Sequence, residues 1–230
     1  MMPLLVGPDG RDRTAAAPVP FEDPRRLDVS GLRIAFFTDN GVLAPEAGTA
    51  AVVRRAAAAV GARECRPPLV ERSYDLEMRL LGPDGGDWLR DYAKAIGSLE
   101  THPLLDGWLR KLEPFRTTVA GFAQLWAELD EFRNAMFGFL RDYDAVLSPV
   151  AAFPALEHGR STEDAVFPGF SYTMTHNLTG WPAAVVRCGT TEGGVPIGVQ
   201  IAAAPWREDV ALAVALRLEE AFGGWSEAPL

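Results

Sequence analysis

Residues 31–41, GLRIAFFTDNG, followed by the Ala-rich run EAGTAAVVRRAAAAV at 46–60, decide the fold class. LRIAFF (32–37) is a short, nearly continuous apolar run bounded by Gly31 and by Asp39-Asn40-Gly41. A strand buried on both faces, as in a parallel sheet, reads this way. The run after Pro45 consists of good helix formers and stops at Gly61, so Glu46 to Val60 is predicted as a helix. Strand, turn, helix is the repeating unit of an α/β fold.

Working outward, GPDGRDRTAAAPVPFEDPRRLDVS (7–30) carries Pro, Gly and Asp without a hydrophobic period, and is expected as a lead-in of turns and extended segments over residues 1–30. Ala62–Pro68 is expected as a strand that Pro67-Pro68 confines to a sheet edge. Residues 70–96 predict one or two helices broken at LGPDGGD (81–87). From Val119 to Tyr143, apolar residues at 119, 122, 125, 126, 129, 132, 136, 137 and 140 recur at helical steps, with Glu128, Asp130, Glu131 and Arg133 on the wet side. Asp144–Val150, Ala183–Arg187 and Pro196–Ile201 predict three strands, the last two close enough for an antiparallel pair. A helix from Arg207 to about Phe222 closes the pattern, its Glu208 and Asp209 at the positive end of the dipole. The fold class is α/β, a mixed β-sheet flanked by helices, with residues 31–230 as the domain.

Composition narrows the function. With 22 Lys+Arg against 31 Asp+Glu the net charge is −9, and no basic cluster is present, so nucleic acid is not an expected partner. The start lacks a basic segment, a long apolar core and a cleavage site, and no apolar run approaches the roughly 20 residues of a spanning helix. A soluble, cytoplasmic protein is expected. Cys65 and Cys188 suit small semi-buried hydrophobes, and neither they nor His102, His158 and His176 have metal-ligand spacing. No metal or cofactor is expected. G-x-S-x-G, P-loop, G-x-G-x-x-G and H-E-x-x-H patterns are absent, so a nucleotide-binding domain entered through Leu32–Asn40 is a poor reading. Ser148 stands at a strand end, where α/β folds present chemistry, but no neighbouring side chain can take its proton. Lys94 and Lys111 lie in amphipathic segments that predict solvated side chains.

YDAVLSPV (143–150) with Phe153-Pro-Ala155, then NLTGWPAA (177–184), PIGVQI (196–201) and the Arg207-Glu-Asp helix, resemble in order the C-terminal half of the amidase signature family. GPDGRD (7–12) and GLRIAF (31–36) are similar to that family's middle section. The resemblance implies hydrolysis or transamidation of carboxylic amides by a Ser–Ser–Lys device carried on Gly/Ser-rich loops. Here the pairs Gly85-Gly86, Gly193-Gly194 and Gly223-Gly224 are followed by Asp, Val and Trp, so no catalytic residue is carried over. The resemblance does imply an acyl or amine pocket at Phe153, Phe170, Tyr172, Met174 and Thr175, whose character suits a hydrophobic acyl group. Asn177 and Gln200 are expected to bond loop backbone and hold the hairpin, and Pro182 to sit where the strand begins. Two readings stay open: part of an amidase whose nucleophile lies on a missing N-terminal half or a partner chain, and a non-catalytic module binding a small-molecule amide or acyl ligand.

Overall fold

The computed structural model describes residues 21–98 and 100–225. GPDGRD (7–12) therefore lies outside the described residues, as does most of the lead-in. Residues 21–30 form short 3-10 turns at Pro24–Arg26 and Val29–Gly31, capped by Asp23 and Asp28. Leu27 and Val29 pack onto the core.

Five strands build one mixed sheet in the order β2-β1-β3-β5-β4. They are β1 (Ile34–Phe36), β2 (Arg63–Glu64), β3 (Ala145–Pro149), β4 (Ala183–Thr190) and β5 (Pro196–Ala203). β1 runs parallel to β2 and β3, and β5 antiparallel to both β3 and β4. The short apolar run at 32–37 becomes a two-sided strand: Ile34 and Phe36 enter one core cluster, and Ala35 and Phe37 the other. β3 divides the same way, Ala145 and Leu147 against Val146, as does β5, Ile201 and Ala203 against Ala202. Arg33 and Asp144 lock the entrances of β1 and β3 together through two side-chain hydrogen bonds of 2.9 and 3.2 Å.

Helices cover both faces. α1 (Ala47–Ala59) and, at the other end of the chain, Glu208–Ala221 close one side with Val52, Val53, Val210, Val214 and Leu218. On the opposite face lie α2 (Ser73–Leu81), the long α5 (Val119–Phe139) and α6 (Ser171–Thr179), contributing Leu76, Leu125, Phe132, Tyr172 and Leu178. α3 (Asp87–Ala95) and α4 (Pro103–Leu112) lie between α2 and α5 in the chain, and Glu208–Ala221 is α7.

The hairpin outruns its expected length. β4 extends through Cys188 to Thr190, with a bulge between Arg187 and Gly189. The edge strand β2 shrinks to two residues. The LGPDGGD break is built by Gly85 and Gly86, both at positive φ, and by Asp84, whose carboxylate accepts from the Gly86 and Trp88 amides.

Candidate functional site

β1 sits between β2 and β3, so the chain leaves it toward one neighbour and returns along the other. In α/β sheets a crevice forms beyond the carboxyl ends of strands at such a point. Here a cleft of about 930 Å³ opens past the carboxyl end of β3, beside the β3–β5 pair. The loop after β3 supplies one wall from Val150 to Gly159, and the start of α1 supplies Thr49. Antiparallel pairing with β3 brings Pro196–Gly198, the beginning of β5, to the same end. His102 and Leu104 enter from the start of α4, Phe170 from the turn before α6, and Val185 from β4.

Of the five residues expected around an acyl pocket, Phe153 and Phe170 line this cleft. Their rings meet edge to face at 5.3 Å. Phe153 is seated against Gly169, where an added Cβ would overlap its ring, and the Ala152 amide donates to the Gly169 carbonyl at 2.9 Å. Tyr172, Met174 and Thr175 are not in the lining; all three are buried on α6. Tyr172 stacks on Phe37, and its hydroxyl donates toward the Thr38 and Leu43 carbonyls at 3.2 and 2.9 Å. It thereby fastens the loop that leads from β1 to α1. Burial pushes its phenol well above the ordinary range, so it stays a neutral donor.

Ser148 is 1% exposed. Its hydroxyl donates to the Pro149 carbonyl at 3.1 Å and accepts from Gln200 Nε2 at 3.2 Å. Gln200 also donates to the Tyr172 carbonyl at 3.2 Å, tying β5 to α6. Asn177 differs from its expected backbone contact: it is exposed and donates to the Glu77 carboxylate at 3.4 Å, linking α6 to α2. Desolvation raises the Glu77 carboxyl. Pro182 stands just before β4 and its carbonyl accepts from the Ala203 amide at 3.1 Å.

Sequence reasoning missed Asn40 as more than a turn residue. It is fully buried, donates to Ser171 Oγ at 2.8 Å and accepts from the Val42 amide at 3.0 Å. The Asp-Asn-Gly pattern marks the turn, but its buried partner lies 131 positions away. Thr49 and the two histidines at the cleft, His102 and His158, carry no local signal that makes them neighbours. Lys111, expected to be solvated, is largely covered, pairs with Asp164 and lies 5.6 Å over the Phe167 ring. Among the described residues no group of three His, Cys, Asp or Glu gathers in a way that could hold a metal ion. No described helix is long and apolar enough to cross a membrane.

The cleft is thus an apolar, aromatic-walled space with a few polar groups, suited to enclosing an apolar body. A family model described as Amidase matches residues 1–212. In Desulfotalea psychrophila, the A subunit of glutamyl-tRNA(Gln) amidotransferase is 32% identical over 117 residues, covering 50% of this chain and 21% of that protein. Fatty-acid amide hydrolase 2-A of Danio rerio is 47% identical over 58 residues, 25% of this chain and 11% of that protein. The solved structure of 6-aminohexanoate cyclic dimer hydrolase complexed with substrate superposes with a TM-score of 0.74 at 22% identity, covering 93% of this chain and 51% of that one. A fatty acid amide hydrolase structure gives 0.73 at 20% identity, covering 90% and 42%. The chain spans about half the length of these solved structures and about a fifth or less of the two curated relatives.

Proposed function

Since the chain belongs to the amidase family, we propose that it is the C-terminal portion of an amide hydrolase, supplying the acyl pocket while the nucleophile and its base are carried elsewhere. The observation that carries this reading is the pairing of an open aromatic cleft with an occupied serine. Phe153 and Phe170 are free to flank an acyl chain, whereas the Ser148 hydroxyl is buried, doubly bonded and without a base. Amide cleavage needs an activatable nucleophile, something to take its proton and donors for the oxyanion. These residues shape a cavity for that chemistry.

The N-terminal half of such an enzyme, or a separate polypeptide, is the proposed partner, and a small amide the substrate. In support, β4 pairs only with β5 among the described residues, leaving its other edge open, and Val185 on it is exposed. Two unpaired thiols suit the reducing cytoplasm as the place of action.

The test is to expose the purified chain to a fluorophosphonate and to an aryl amide, alone and after co-expression with a polypeptide bearing a Gly/Ser-rich loop and a lysine. The expected result is no adduct and no turnover alone, and both upon co-expression. A stoichiometric adduct on the chain by itself, lost in Ser148→Ala, overturns the reading. Ligand binding without turnover in either setting makes it a non-catalytic module instead.

A further inference from the structure

The loop that walls the cleft after β3 closes on itself. At its neck the Ala152 amide donates to the Gly169 carbonyl at 2.9 Å, so residues 153–168 leave and return at one point. Among the described residues, every backbone hydrogen bond made by 153–168 stays within the loop and its neck. The Arg160 amide donates to Glu157, that of Glu163 to Arg160, and those of Val166 and Phe167 to Glu163. The Arg160 and Glu163 side chains pair with each other as well. Such a closed, self-bonded excursion is an Ω-loop. Its second limb is anchored: Val166 is buried, and the Phe167 ring sits 6.2 Å from Tyr74 on α2 and 5.2 Å from Trp108 on α4. The first limb walls the cleft from Pro154 to Gly159 and again with Ser161 and Thr162, yet Ala155 and Glu157 to Arg160 are exposed. Thr162 lies against Gly107 of α4, so closely that an added Cβ there would meet its hydroxyl at 2.9 Å.

Between the two limbs stands a single fastening. Lys111 of α4 donates to Asp164, and among the described residues this is the one hydrogen bond that ties the loop to the chain beyond its neck. The lysine is held from its own side: its side chain is 12% exposed and its ammonium lies 5.6 Å over the Phe167 ring, whereas Asp164 is 99% exposed. An ion pair with one member wholly in water is screened and weak. A segment with so few outside bonds opens at a far lower free energy than the sheet beneath it. We propose that residues 154–163 are a lid on the cleft, fastened by Lys111 to Asp164, and that its opening sets how fast a ligand enters and leaves. Phe153 and Phe170 remain at the neck as the fixed aromatic wall, and closure sheds water from the ligand's apolar body. This rests on reading the cleft as an acyl pocket.

Hydrogen exchange and trypsin nicking after Arg160 report the lid, and the association and dissociation rates of phenylacetamide report the cleft. In the full chain, amides 155–163 should exchange far ahead of those of β3. Asp164→Ala alters a side chain that packs on nothing, so it releases the fastening and leaves the core intact. Exchange at 155–163, nicking and both phenylacetamide rates should then rise roughly two- to fivefold, the range of an exposed ion pair. Gly107→Cys with Thr162→Cys holds the lid shut. A Cβ at position 107 stands 3.2 Å from the Thr162 Cβ, close to the roughly 3.5–4.5 Å of a disulfide. Oxidised, this variant should take up and release phenylacetamide about tenfold or more slowly, and thiol reduction should restore both rates. Equal rates in the oxidised and reduced forms, or loop exchange unmoved by Asp164→Ala, overturns the lid and leaves the acyl pocket standing. If phenylacetamide binds to none of these proteins, the acyl pocket falls and the lid with it.

Discussion

His176 is closed off from solvent on α6, against the Trp181 ring at 6.0 Å, and its Nδ1 has no partner among the described residues. Burial pushes its pKa down to about 4. The unfolded imidazole takes up a proton near pH 6.5 and the folded one does not, so stability is full above about 6.5 and falls as the pH drops toward 4. Denaturant unfolding at pH 7.5 and 4.5 should show a loss of roughly 2–3 kcal/mol from this group, and His176→Gln should remove most of that difference. An unchanged pH dependence in the variant would place the proton uptake elsewhere. Sequence shows a lone histidine in a segment with three other polar neighbours, Thr175, Asn177 and Thr179. That α6 turns nearly all round into the core is invisible there, because burial depends on β1, α2 and α5 closing over it.

At the scale of elements, α5 shows where periodicity succeeds and where it falls short. Leu125, Leu129, Phe132 and Met136 form its buried line, as the three- and four-residue steps predict, and Phe139, outside the predicted series, joins them. Val119, Trp126 and Phe137 belong to the same apolar series but are exposed, Val119 by 88%. Each stands roughly 100–120° around the helix from the line, at about 100° per residue, so an apolar count without an angle overfills the core. The side expected to be wet is partly an interface. Glu128 accepts two bonds of 2.8 Å from Arg79 on α2, with Arg72 at 3.3 Å, and Arg133 Nε donates to the Leu178 carbonyl of α6 at 2.7 Å. These groups are partly exposed, so the ion pairs are screened. Glu128→Gln should cost about 1 kcal/mol, with the loss shrinking in high salt; a loss that ignores salt would mean packing, not charge, docks α2 on α5. α4 and α6 escape the periodic reading for different reasons. α4 opens on the His102 cap and Pro103, and α6 is buried on too many sides to show an amphipathic stripe.

For the whole molecule, the sheet sets the order of stability. β3 is enclosed by β1 and β5 and all five of its residues are buried, while β4 keeps an open edge. Amide exchange should be slowest in β3, and alternate amides of β4 should exchange fast until a partner strand covers them. Uniform protection across β4 in the isolated chain would contradict the open edge. The α/β class, the strands β1, β3, β4 and β5 in their existence and order though not in the full length of the β4–β5 hairpin, and the helices α1, α5 and α7 were legible in the sequence, since apolar period and Gly/Pro punctuation act over a few residues. Tertiary structure alone decided which residues meet in the cleft. Phe153 faces Phe170 there and Thr49 joins them, while Tyr172, only two residues beyond Phe170, turns away to hold the β1 loop. Such encounters depend on the strand order, which through the parallel pairing of β1 with β3 joins positions more than about 100 residues apart, and on the antiparallel return of β5 along β3. Chain-local forces carry no record of either.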